Sequence, residues 1–343
     1  MSIRIKNKSI DIPLVQGAMA IGMSSPDLVG GVARRGGIGT LSMVNPGYKE
    51  KDFLKNTFEA NKRAYLKDLK YAKEKSQGRG IILTNLMQVV ERFEDYLDFL
   101  NTTDVDGIVV GAGLPLDLPK HISKEKIIGP IVSSERALRL IMKRWDKYNR
   151  RPDLVILEGP KAGGHLGFKR EDLEINILDE LGKILKISDG IPVFVGGGFG
   201  RPEKVKEALE CGASGVQIGT GFLFTKESGL PMSAKEEILN RVKSSKMKNL
   251  ILESPVGLLA RGMETKLVKK METESIPPNR CLSCIRTCKR KDTKYCISEA
   301  LIKAVRGNLE SGLFFAGTDV EKIEKIRSLD EYIDWLLEEE WKR

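Results

Sequence analysis

Residues 192–221 read PVFVGGGFGRPEKVKEALECGASGVQIGTG, and the fold turns on how this stretch is read. Two apolar, β-type runs, 192–197 and 215–219, bracket an amphipathic segment over 201–211 in which Val205, Ala208 and Leu209 recur at helical spacing. Both runs end in glycines: Val195-Gly196-Gly197-Gly198-Phe199-Gly200 and Gln217-Ile218-Gly219-Thr220-Gly221. Continuous apolar runs suit parallel strands buried on both faces. Glycine after such a strand lets backbone N–H groups approach a phosphate with no Cβ in the way, and Thr220 adds a hydroxyl donor. One glycine cluster alone reads as an ordinary turn; two in succession, each ending a strand, point to phosphate binding.

Working outward, six more β-type runs lie at 14–19, 39–43, 81–87, 107–113, 127–133 and 153–158. Amphipathic segments separate them, such as 26–35 with Leu28, Val29, Val32 and Ala33 on one face. Eight strands with helical crossovers suit a (β/α)8 TIM barrel, in which loops after the seventh and eighth strands are a recurrent phosphate site. An open doubly wound sheet shows the same alternation, and strand count does not separate the two. From about Leu230 the strand signals stop, and helices are expected over 233–246, 257–271 and 297–308. An apolar piece, Leu313-Phe314-Phe315-Ala316-Gly317, then precedes a charged terminal helix. The expected organisation is α/β: a barrel over 1–229, a smaller, mostly helical domain over 230–312 that carries a cysteine cluster, and a segment over 313–343 that returns to the barrel.

The 343 residues carry 57 Lys and Arg against 47 Asp and Glu, a net charge of +10. The positives are interspersed with acids, aromatics are only 6%, and no basic stripe with interleaved aromatics appears, so nucleic-acid binding is not expected. No apolar run has the length of a membrane span, and Met1-Ser2-Ile3-Arg4-Ile5-Lys6-Asn7 has no signal-peptide character. The expectation is a cytoplasmic protein, for which a homo-oligomer is compatible.

A second motif, Glu158-Gly159-Pro160-Lys161-Ala162-Gly163-Gly164-His165-Leu166-Gly167, follows the sixth run. His165 is one of two histidines and is read as sitting in a glycine-rich loop at the catalytic face; taken alone, a structural histidine fits as well. His121, in a Lys- and Pro-containing stretch, reads as structural or solvated. A third motif, Pro13-Leu14-Val15-Gln16-Gly17-Ala18-Met19-Ala20, ends a strand in a small-residue turn.

Together these residues carry a resemblance. The stretch PLVQGAMAIGMSSPDLVGGVARRGGIGTLS, followed in order by ILTNLM, VVGAGLP, EGPKAGGHLG, VFVGGGFG and GVQIGTGFLFTKES, resembles the nitronate monooxygenase family, once called 2-nitropropane dioxygenases. FMN-dependent enoyl-acyl-carrier-protein reductases share the pattern. The resemblance covers roughly residues 10–228 and implies an FMN-binding barrel. It implies that Gly197, Gly198, Gly219 and Thr220 form the phosphate loops, with Gly163 and Gly164 also at the cofactor. Ala18, Met19, Asn85 and Gln217 are implied to line the flavin ring or its ribityl chain, and His165 to be the active-site histidine. One departure is Lys161, where the family usually has an acidic residue; an added cation suits an anionic substrate.

The implied reaction is FMN-dependent oxidation of alkyl nitronates by dioxygen to a carbonyl compound and nitrite, with a small anionic substrate. The alternative is an NAD(P)H-dependent enoyl-thioester reductase, whose acidic acyl carrier protein would suit the net positive charge. A non-catalytic flavin-binding or electron-relay subunit is a third reading. It depends on Cys281, Cys284, Cys288 and Cys296, whose spacing admits a [4Fe–4S] cluster or zinc, with Arg280, Arg286, Lys289, Arg290 and Lys291 nearby to favour thiolates. Reduced structural thiols fit the same spacing, and Cys211 reads as plain core.

Overall fold

The structure, a computed structural model, describes residues 2–289 and 291–337; Met1, Arg290 and residues 338–343 lie outside the described residues. The chain opens with an antiparallel hairpin of β1 (Ile3–Ile5) and β2 (Lys8–Ile10). Eight parallel strands then alternate with helices: β3 (Leu14–Gln16), β4 (Ile38–Ser42), β5 (Ile81–Met87), β6 (Gly107–Gly111), β7 (Ile127–Val132), β8 (Val155–Glu158), β10 (Val193–Gly196) and β11 (Gly215–Ile218). A short strand, β9 (Gly164–Leu166), branches off after β8. The last barrel strand pairs with the first, Val216 opposite Leu14 and Ile218 opposite Gln16, so the sheet closes into a barrel. Closure excludes the doubly wound alternative.

Inside the barrel every second residue points inward. Val15, Ile38, Ile81, Leu83, Val109, Ile127, Leu154, Ile156 and Phe194 pack there in one buried cluster. Ile5 and Ile10 of the hairpin join the same cluster and plug the end where the strands begin. The interior is therefore a packed core, and only the carboxyl ends of the strands remain open to build a site. Outside, helices face the barrel with their apolar sides. Helix Pro26–Arg34 is representative: Ser25 caps it by accepting from the Leu28 N–H at 3.1 Å, Pro26 starts it, and Leu28, Val29, Val32 and Ala33 are buried.

Beyond the barrel, the helices Met232–Lys243 and Ile297–Val305 fall where periodicity placed them, but 257–271 does not form one helix. Strands β12 (Asn249–Glu253) and β13 (Leu259–Met263) form a hairpin there, and helix Lys266–Met271 follows. The apolar spacing of Leu259, Met263, Leu267 and Met271 fits a helix, yet Pro255 and Gly257, the latter at φ +87°, turn the chain, and pairing with β9 overrides the local pattern. The result is a three-stranded antiparallel sheet, β12-β13-β9, lying on the barrel mouth.

The terminal helix Leu329–Leu337 packs against helix Pro26–Arg34 and helix Pro202–Glu210, spanning the seam between the first and last barrel units. Arg34 holds Asp330 through both carboxylate oxygens at 2.8 Å. Tyr332, buried, donates its hydroxyl to the Gly200 carbonyl at 2.9 Å and meets Phe222 edge-on. A Cβ at Gly221 would lie 1.8 Å from that hydroxyl oxygen. Gly221→Ala is expected to lower the free energy of unfolding by about 1–3 kcal/mol, the usual cost of overpacking, read as a shift of the urea midpoint at unchanged slope.

Candidate functional site

The inward parity that fills the barrel core continues to the strand ends and decides what lines the mouth. Two residues beyond Leu83 stands Asn85, beyond Val109 Gly111, beyond Ile156 Glu158, and beyond Val15 Gly17; Thr40, Ser42 and Gln217 follow the same rule. All of them line one cavity at the carboxyl ends of the strands. Ala18, Met19, Gly163, Gly164, His165, Gly197, Gly198, Gly219 and Thr220 line it too, so the structure brings every non-cysteine residue expected at the site to a single place. Gln16, fully buried, braces the turn above β3: its amide donates to Ser24 at 2.8 Å and its carbonyl accepts from the Thr40 N–H at 2.9 Å.

One wall of the cavity is built from backbone donors. Gly197 and Gly198 hold φ of +93° and +95°, which β-carbon-bearing residues rarely adopt. Among the described residues, the N–H groups of Gly163, Gly197, Gly198 and Phe199 donate to no protein acceptor. A Cβ at Gly219 would meet nothing within 4 Å. The Thr220 hydroxyl accepts from the Gly317 N–H at 2.8 Å, which leaves its own proton to donate. Unpaired N–H groups converging with a free hydroxyl suit an anion with several oxygens, such as a terminal phosphate.

The cavity also carries two titratable groups whose charges burial suppresses. His165 lies on β9, opposite Ala260 of β13, and not in a loop as its glycine neighbours suggest. Burial pushes its pKa down to about 4, so the imidazole is neutral near pH 7. Its Nε2 is 2.8 Å from the Ser254 hydroxyl, its ring meets Phe315 edge-on, and Nδ1 has no protein partner among the described residues. Ser254 is held in turn by accepting from the Val256 N–H at 3.3 Å. Glu158 has no compensating partner, and burial alone raises its carboxyl to about 8. Both groups are thus predominantly neutral near pH 7 and add little charge to the cavity.

A family profile described as nitronate monooxygenase matches residues 2–339. The chain belongs to the nitronate monooxygenase family. It is accordingly an oxidoreductase of that family. A curated protein named probable nitronate monooxygenase from Staphylococcus aureus strain JH9 is 25% identical over 291 residues, covering 77% of this chain and 78% of its own length. The similarly named protein of Staphylococcus saprophyticus is 27% identical over 294 residues with the same coverage. Among solved structures, FabK of Thermotoga maritima superposes with a TM-score of 0.71 at 22% identity, covering 96% of this chain and 92% of that one. Nitroalkane oxidase of Streptomyces ansochromogenes gives 0.72 at 20% identity, covering 96% of each chain. These two likenesses concern the fold.

In this nitronate monooxygenase family member the four clustered cysteines lie beside the cavity. Among the described residues no three His, Cys, Asp or Glu side chains are grouped to hold a metal ion, and all five cysteines are free thiols. The metal expected at Cys281, Cys284, Cys288 and Cys296 is thus not supported by a ligand group among the described residues. Burial raises the Cys288 and Cys296 thiols and pushes Cys284 up to about 11, so in the metal-free protein these groups are protonated near pH 7. The Cys284 sulfur is 3.0 Å from the Ser298 hydroxyl, and the segment docks on the barrel by pairing Ile285 with Val90. Ile285, Ile297, Ser298 and Leu301 thereby become a wall of the cavity. Cys211 is exposed at a helix end and not in the core, while His121 ends a short helix 3.7 Å from Asp98, away from the site.

Sequence reading missed Ser254, Asp319 and the apolar wall, since long-range packing alone brings them to the mouth. It also missed Glu158, although that residue stands in step with the inward residues Leu154 and Ile156 and its strand position could have signalled it.

The two shifted groups set a pH dependence of stability. His165, lowered from 6.5 to about 4, contributes stability present above 6.5 and lost as pH falls through 4; Glu158, raised from 4.5 to about 8, contributes stability present below 4.5 and lost as pH rises through 8. Above pH 6.5 only Glu158 of the pair still acts. The wild type should lose about 1–2 kcal/mol relative to Glu158→Gln between pH 6.5 and 8, measured by urea unfolding at each pH; equal slopes would mean that the carboxyl is solvated.

Proposed function

We propose that this chain binds FMN and oxidises small alkyl nitronates with dioxygen, giving a carbonyl compound and nitrite. The observation that carries the proposal is the cavity itself: unpaired N–H donors, a neutral, oriented imidazole and a neutral carboxyl all line one space. FMN, when bound, supplies the redox chemistry by taking electrons from the substrate and passing them to dioxygen. Gly163, Gly197, Gly198, Phe199 and Thr220 would hold its phosphate. Ala18, Met19, Asn85 and Gln217 would flank the ring and ribityl chain, and Gly164 gives the backbone room beside them.

His165 binds and orients. With Ser254 donating to Nε2, the proton resides on Nδ1, which can donate to a nitronate oxygen; the anion in turn raises the imidazole's proton affinity. A histidine with so low a pKa is a weak general base, since efficient bases titrate near the working pH. This favours the preformed nitronate over the neutral nitroalkane as substrate. The neutral Glu158 leaves the anion unopposed. Five free thiols accord with the reducing cytoplasm as the place of action, and no helix among the described residues is long and apolar enough to cross a membrane.

Enoyl-thioester reduction is the second reading. The wall of Ile285, Ile297, Leu301, Leu313 and Phe314 favours it, because it offers an acyl chain an apolar surface. Anaerobic mixing separates the two. Alkyl nitronate is expected to bleach the oxidised flavin and NADH is not. Fast bleaching by NADH, with reoxidation by a crotonyl thioester, would replace the proposal with the reductase reading. His165→Ala should retain flavin and lower kcat/KM for nitronate by about 10- to 100-fold, the scale of one hydrogen bond to a charged group.

A further inference from the structure

Among the described residues lining the cavity, Lys161 is the one lysine or arginine, and its stem runs over the phosphate wall. A Cβ built on Gly198 would lie 3.4 Å from Lys161 Cδ and 3.5 Å from its Cβ. The Lys161 carbonyl accepts from the Thr318 N–H at 3.1 Å, and Gly317 packs against it, so the residue is clamped at its backbone while its side chain stays exposed toward the cavity. Lys161 forms no ion pair or side-chain hydrogen bond among the described residues. Arg261 holds the same loop from beneath, donating to the Pro160 carbonyl at 3.1 Å and to Asn249 at 3.3 Å. On the same wall stands Asp319, whose carboxylate accepts from the Gly200 N–H at 2.8 Å. A phosphate dianion in the glycine cradle would sit near that carboxylate. The backbone donors carry only partial charges, so a full positive charge is needed on this side of the site.

We propose that Lys161 is a ligand of the cofactor's terminal phosphate, balancing Asp319 and the dianion across the Gly197–Gly198 loop. The inference rests on the FMN reading above. It differs from the sequence-based expectation, in which Lys161 serves the substrate anion. A lysine suits the role as a mobile point charge, since the backbone already supplies the directional hydrogen bonds.

The test is flavin titration of the stripped, full-length protein, followed by flavin fluorescence quenching, with FMN and with riboflavin, which lacks the phosphate. Lys161→Met is expected to weaken FMN binding by about 10- to 100-fold, the scale of one charge-assisted hydrogen bond, and to leave riboflavin binding within about twofold. The FMN dissociation constant of the wild type should rise more steeply with salt than that of the variant, and Lys161→Arg should restore most of the affinity. Unchanged FMN affinity in Lys161→Met, with a raised KM for nitronate, would overturn the inference and return the lysine to the substrate. Equal weakening of FMN and riboflavin would also overturn it, by showing general damage to the loop. Failure of the wild type to bind FMN at all would instead defeat the underlying cofactor reading. Circular dichroism of the variant confirms that the barrel is intact in each case.

Discussion

Closure of the barrel is the constraint on which everything else depends. When β11 pairs with β3, all eight strands acquire a common inside, and side-chain alternation then fixes which residues face it. The lower inward layers are aliphatic and aromatic and fill with the help of the β1–β2 hairpin. The uppermost layer has glycine, Thr40, Asn85, Glu158 and Gln217. The same geometry that makes the bottom a dry core makes the top a cavity with polar groups aimed inward. A one-residue slip in any strand would exchange these for helix-facing aliphatics.

The upper cavity is completed by parts of the chain far away in sequence. β12 and β13 add to β9 and bring Ser254 to His165; the 285–301 stretch contributes an apolar wall; and the 313–319 stretch meets the glycine loops, where Gly317 and Asp319 engage Thr220 and Gly200. Enclosure has an electrical consequence. It lowers His165 and raises Glu158 toward their neutral forms, while backbone N–H groups are left without protein acceptors. The cavity is therefore polar without carrying strong negative charge on its floor, an arrangement that favours anions.

How much of this could be read beforehand follows from the range of the interactions involved. All eight barrel strands were visible because each is a short, largely apolar run buried on both faces, most of them flanked by glycine, and local sequence carries that signal. The glycine loops were visible for a similar reason: their conformation excludes side chains. The 257–271 stretch misled because its apolar residues satisfy a helical period, and only the presence of β9 as a partner makes 259–263 a strand. The role of the cysteines was not legible because spacing shows neither burial nor direction; in the fold the Cys284 sulfur lies beside the Ser298 hydroxyl. Lys161 was legible as a departure, but only the path of its stem over Gly198 assigns it a direction.

A crystal structure of the protein as purified tests the central claim most directly, because the claim is geometric: the unpaired backbone donors after the seventh barrel strand, with the Thr220 hydroxyl after the eighth, are a monophosphate site. The account predicts flavin density with a single phosphate within hydrogen-bonding distance of the Gly197, Gly198 and Phe199 N–H groups and of the Thr220 hydroxyl, and with the ring directed toward His165. Those N–H groups satisfied by the protein itself, or a flavin phosphate bound elsewhere, would contradict it.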